Sequence, residues 1–160
     1  MAKRRKLVRT SPDRVFAVLA DGWTYASWVV GASHIRDVDE AWPAAGTRLH
    51  HQVGPWPLHI TDVTSVRAVI PGQMLELHAR AWPLGAATVR LDLEPVEAGT
   101  RVTLAYDLTE GIGRYLPRRV QTALLGPRSA EMLSRLSDIA VRRRVPAVYP
   151  QTGTSMPTVA

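Results

Sequence analysis

The stretch PRSAEMLSRLSDIAVRRR, residues 127–144, decides the fold. Met132, Leu133, Leu136, Ile139 and Ala140 recur at i, i+1, i+4, i+7 and i+8, which places all five on one face of an α-helix. Arg128, Glu131, Arg135, Asp138 and Arg142 occupy the other face. Glu131–Arg135 and Asp138–Arg142 are i,i+4 pairs with the acid leading, each worth about 0.3 kcal/mol. Pro127 suits the first helical turn, where its missing N–H costs nothing. A shorter helical piece, Arg118 to Leu125, precedes it. A helix with one apolar face needs a surface to lie on.

Working outward, the chain before this helix alternates with period 2. Thr47 to Val53 sets Leu49, His51 and Val53 against Arg48, His50 and Gln52, and Met74 to Ala81 sets Leu75, Leu77 and Ala79 against Glu76, His78 and Arg80. Ala87 to Leu93 sets Val89 and Leu91 against Thr88 and Arg90, and Arg101 to Leu108 sets Leu104 and Tyr106 against Thr103 and Asp107. His34 to Val38 is a weaker strand. Leu58 to Ile70 is long and irregular, which predicts a bulge near Asp62. One dry and one wet face is the mark of a half-buried antiparallel sheet. Gly54-Pro55-Trp56-Pro57, Trp82-Pro83-Leu84-Gly85 and Glu97-Ala98-Gly99 supply turns.

Toward the amino end, Lys6 to Arg9 is a short strand. Ser11 can cap a helix that begins at Pro12, and Asp13 suits its positive end. Val15, Phe16 and Leu19 give that helix one apolar face, and Asp21-Gly22 ends it. The aromatic run Trp23 to Val30 makes a second short helix, with Trp28 and Val29 buried. The predicted order is a strand, two short helices, about six antiparallel strands and one long helix. A sheet wrapped round such a helix leaves space between them for a cavity.

Composition agrees with one domain over residues 5–144, followed by a tail, residues 145–160, expected to be disordered. No apolar run approaches the ~18 residues of a membrane span. The amino-terminal apolar piece is too short for a signal peptide, which predicts a cytoplasmic protein. The absence of cysteine rules out disulfides and thiolate chemistry. The formal charge of +6 is concentrated at Lys3–Lys6 and Arg142–Arg144. With those set aside the basic and acidic residues nearly balance, and the runs read as solvated ends with no specific nucleic-acid partner.

The order of elements resembles the helix-grip fold of the START-like and birch-pollen-allergen-like superfamily (SRPBCC). Within it the chain is most similar to small actinobacterial-type members of polyketide cyclase/dehydrase-like or lipid-transport-like character. The residues that carry the resemblance are SPDRVFAVLADGWTYASWVVG at 11–31, TRLHHQVGPWPL at 47–58, RAWPLGAATVRLDLEPVEAGTRVTL at 80–104 and RRVQTALLGPRSAEMLSRLSDIA at 118–140. It covers residues 5–143. It implies an α+β fold: a curved antiparallel sheet of six to seven strands around the long C-terminal helix, with two short helices after the first strand. It implies a hydrophobic small-molecule ligand and a monomer or weak homodimer. The superfamily includes carriers, sensors and cyclases, so a reaction does not follow from it.

Three polar residues are candidates for chemistry. His51 shares parity with Leu49 and Val53 and so faces the cavity, while His50 faces water; the two cannot share a metal. Asp62 faces inward without a bulge and could then act as a general base, but a bulge turns it to solvent, and the irregular pattern favours the bulge. Tyr106 lies among inward residues and needs a hydrogen-bond partner or a ligand. Arg80 has solvent-facing parity. Trp28, Trp56 and Trp82 either cover a ligand at the cavity mouth or pack neighbouring loops. With Leu49, Val53, Leu77, Ala79, Val89, Leu91, Leu104, Met132, Leu133 and Leu136 they form the expected cavity wall. No HxH or HExxH spacing occurs, so no metal is expected, and no nucleotide or other cofactor motif is present. The leading expectation is a binder of a lipid- or polyketide-like molecule. The alternatives are a cofactor-independent polyketide cyclase or dehydratase and a protein-interaction or co-chaperone-like module.

Overall fold

A computed structural model describes residues 2–53, 60–80 and 85–143. Strand β1 (Ala2–Val8) leads into α1 (Pro12–Leu19), a 3-10 turn at Gly22–Thr24 and the single-turn helix α2 (Tyr25–Trp28). Six strands follow: β2 (Ala32–Val38), β3 (Arg48–Val53), β4 (Ile60–Ile70), β5 (Met74–Arg80), β6 (Ala86–Val96) and β7 (Gly99–Glu110). A 3-10 turn at Ile112–Tyr115 precedes α3 (Arg118–Arg142). The strands form one antiparallel sheet in the order β1-β7-β6-β5-β4-β3-β2. This is the α+β helix-grip architecture: consecutive hairpins make the curved sheet, β1 joins its far edge, and α3 lies across it. No described helix is long and apolar enough to cross a membrane.

The core follows the two periodicities. Leu75 and Leu77 of β5, Leu91 and Leu93 of β6, and Val102 and Leu104 of β7 are buried at every second position. Val15, Val18 and Leu19 of α1 and Leu133, Leu136 and Ala140 of α3 close over them. At the start of α1, Ser11 holds the capping position through its main chain. Its carbonyl accepts the N–H groups of Arg14 and Val15, while its hydroxyl makes no capping bond. Gly22 packs where a side chain would collide: a Cβ there would stand 2.6 Å from a methyl of Val38 and 3.2 Å from one of Leu49.

The structure departs from the sequence reading at several points. β3 and β4 pair without interruption from Arg48↔Ser65 to Val53↔Ile60, which leaves no extra residue to turn Asp62 outward. The irregularity in β4 lies instead between Val66 and Ala68 on the β5 side, where the exposed Arg67 takes the extra place. Helix α3 runs unbroken through Pro127. Pro127 and Ala123, whose carbonyl loses its helical donor, are both exposed, on the solvent side of the helix. The Glu131–Arg135 pair forms, at 2.8 Å, whereas Asp138 and Arg142 make no ion pair among the described residues. β1 starts at Ala2 rather than Lys6, so ordered structure begins before residue 5 and the basic run Lys3–Lys6 is an edge strand. Its backbone pairs with β7 while Lys3, Arg4 and Arg5 remain exposed. Trp56, Trp82 and the segment 145–160 lie outside the described residues.

Candidate functional site

A cavity of about 110 Å³ lies between the sheet and the amino-terminal half of α3. Its floor is Leu77 and Ala79 of β5, Ala87 and Val89 of β6, and Leu104 of β7. Trp28 and the Val29–Ala32 turn form one side, and Leu125 and Met132 form the roof. The polar atoms come from Tyr25, His51, Arg80, Tyr106, Arg128 and Ser129. Arg80 is 68% exposed and still lines the cavity, so the cavity reaches the surface beside it.

Of the residues expected on the wall, Trp28, His51, Leu77, Ala79, Val89, Leu104, Tyr106 and Met132 line it. Leu49, Leu91, Leu133 and Leu136 do not. They are packed into the solid core, where helix and sheet meet without a gap. The same helical face and the same strand parity thus run from void to core within one or two turns. Val53 is placed as a backbone partner of Ala32 and Ile60.

His51 anchors a buried polar chain. Its Nε2 lies 2.9 Å from the Thr64 hydroxyl, and the Tyr25 hydroxyl lies 3.0 Å from the same oxygen. Thr64 is fully buried on β4, and the Tyr25 and His51 rings stack with centroids 5.3 Å apart. Burial lowers the His51 pKa from its ordinary value, opposed by the Gln52 main chain and by Asp62. Nδ1 is buried without a hydrogen-bond partner among the described residues. The ring is therefore neutral at neutral pH. Desolvation also pushes the Tyr25 phenol up to about 12, so it is a donor. The order that satisfies both hydroxyl hydrogens is Tyr25 O–H to Thr64 and Thr64 O–H to His51 Nε2. This leaves the remaining proton of His51 on Nδ1.

Asp62 stands opposite His51 across the ladder and is buried, at 8% exposure. It does not reach the cavity. One oxygen accepts the Val63 N–H at 2.7 Å and lies 3.4 Å from Arg80 Nε. Arg80 is thus at the mouth, bent round the end of β5, although its parity points away. The Tyr106 hydroxyl has no hydrogen-bond partner among the described residues, although the side chain is buried and lines the cavity. Among the described residues no group of His, Asp and Glu is arranged to hold a metal.

Four functional positions were not found from sequence. Tyr25 and Thr64 meet His51 only in the fold. Arg128 and Ser129, with Leu125 and Met132, form an i, i+3, i+4, i+7 set that is visible only if the helix continues through Pro127. Arg128, expected on the wet face, instead turns in: Nη2 donates to the Val30 carbonyl at 3.1 Å and packs on Gly31. A Cβ at Gly31 would stand 2.5 Å from that nitrogen, and the φ of +93° there favours glycine as well.

Comparison with known proteins agrees with this fold. A protein from Nitrosomonas europaea superposes with a TM-score of 0.68 over 89% of this chain and 95% of its own, at 15% identity. Ara h 8.0201 superposes at 0.67 over 89% and 97%, at 14% identity. The di-domain ARO/CYC StfQ, from the steffimycin biosynthetic pathway, superposes at 0.66 over 88% of this chain and 50% of its own, at 12% identity. At these identities the likeness is one of fold. No curated protein sequence matches the chain significantly. The family described as polyketide cyclase / dehydrase and lipid transport matches residues 2–140, and to that helix-grip family this chain belongs.

Proposed function

We infer that this protein binds a hydrophobic or aromatic small molecule between the sheet and α3. The observation that carries this reading is the cavity: aliphatic and aromatic walls with a few fixed polar atoms, opening beside Arg80. Apolar burial at roughly 25 cal/mol per Å² supplies the affinity. The Tyr106 hydroxyl orients the ligand. A cavity of about 110 Å³ suits one aromatic ring or a short alkyl segment, with any longer portion projecting through the mouth. An interaction module would instead have a filled core and an exposed groove.

The enzymatic reading, a cyclase or dehydratase, needs an acid–base pair on the cavity wall. Asp62 is held by Arg80 and Val63 away from it, which favours binding over catalysis. What speaks for catalysis is that the Tyr106 hydroxyl lines the cavity with no hydrogen-bond partner among the described residues. The test is mass spectrometry of the purified protein under native conditions, followed by thermal melts with a panel of one- and two-ring aromatics and medium-chain lipids. A one-to-one adduct and a raised melting temperature are expected, and both are lost in Ala79→Phe, which fills the cavity floor. A protein that carries nothing and gains no stability from any member of the panel overturns the reading.

A further inference from the structure

The cavity wall carries two cations and, among its described residues, no acid. Arg80 is neutralised by Asp62 behind it, at 3.4 Å. Arg128 is not neutralised. It makes one hydrogen bond, to the Val30 carbonyl, and its other N–H groups have no acceptor among the described residues. The nearest acid along the helix, Glu131, is committed to Arg135 at 2.8 Å. The segments 54–59, 81–84 and 144–160 contain no Asp or Glu, so no carboxylate side chain from them can pair with it. Gly31 gives the guanidinium room to lie flat against the turn at the cavity edge.

A half-buried guanidinium on an otherwise apolar wall, whose remaining donors meet no acceptor among the described residues, is available to an anion in the cavity. Its planar fork matches a carboxylate. We propose that Arg128 is an anion-recognising residue, and that the ligand class is an amphipathic acid. Its ring or chain lies on Leu77, Val89 and Leu104, and its carboxylate meets Arg128. The proposal rests on the cavity being the ligand site. It adds a polar end to a ligand that the apolar wall alone would leave undefined. Arg128 also sets polarity: the acid end lies toward the Val30–Gly31 turn, and the apolar end toward the β5–β7 floor.

The test is an NMR titration of the full chain with phenylacetate, its neutral isostere phenylacetamide, and toluene as a purely apolar probe. In the unsubstituted protein the acid is expected to bind at least about tenfold tighter than the amide. Arg128→Gln keeps a donor for Val30 and the fold, and should bring acid and amide within about threefold by weakening the acid alone. Arg128→Lys keeps the charge but loses the planar fork, and should retain part of the preference. If acid and amide bind equally, or toluene binds and the acid does not, the anion assignment is overturned and the apolar cavity stands. If none of the three binds, the cavity reading fails and this proposal with it.

Discussion

Thr64 shows how much one side chain can hold. Its buried hydroxyl joins Tyr25 and His51, which lie 39 and 13 residues away along the chain. Thr64→Val keeps the shape but leaves the Tyr25 hydroxyl and His51 Nε2 buried without partners, at an expected cost of about 2–3 kcal/mol. Adding Tyr25→Phe should return part of that loss, because it removes one of the stranded groups. Urea denaturation of the double-mutant cycle measures it; strictly additive losses would mean that the three groups do not act as a chain. The inward aim of His51 was legible from the parity of Leu49 and Val53. Thr64 was not, because a threonine suits either face of a strand and its partners belong to distant segments.

For the elements, the instructive one is α3. Read from sequence, Pro127 starts a helix; in the fold it sits inside one. An interior proline forfeits a hydrogen bond and strains the preceding turn. Pro127→Ala is expected to raise stability by about 1–3 kcal/mol with no change in the urea dependence of unfolding, and an unchanged midpoint would show that the surrounding packing already absorbs the cost. The misplaced boundary had a consequence for the site. Splitting the helix broke the register that joins Leu125, Arg128 and Ser129 to Met132, so Arg128 was assigned to water. The strands were easier to read, because alternation is local and β3, β5, β6 and β7 each keep a dry face. The exception was β4, where a period count cannot tell which residue a bulge absorbs; only the pairing with β3 decides it.

At the scale of the whole molecule, the order of elements was enough to anticipate a sheet gripping a helix, since each apolar face has only one partner large enough to cover it. Which part of that interface is solid and which is hollow was not legible, because it depends on side-chain volumes contributed by seven separate elements. Among the described residues the sheet is open: β1 has a strand neighbour on one side only, and its other side has no strand partner. Along that rim stand Lys3, Arg4 and Arg5, all exposed. Two copies brought rim to rim would oppose like charges at close range, a repulsion that keeps the chains from zipping together. Lys3→Thr with Arg5→Thr is expected to lower that barrier, and sedimentation velocity at rising protein concentration should show self-association absent from the unsubstituted chain. If that self-association follows, the basic run has a task that requires no partner: it keeps the molecule from finding itself.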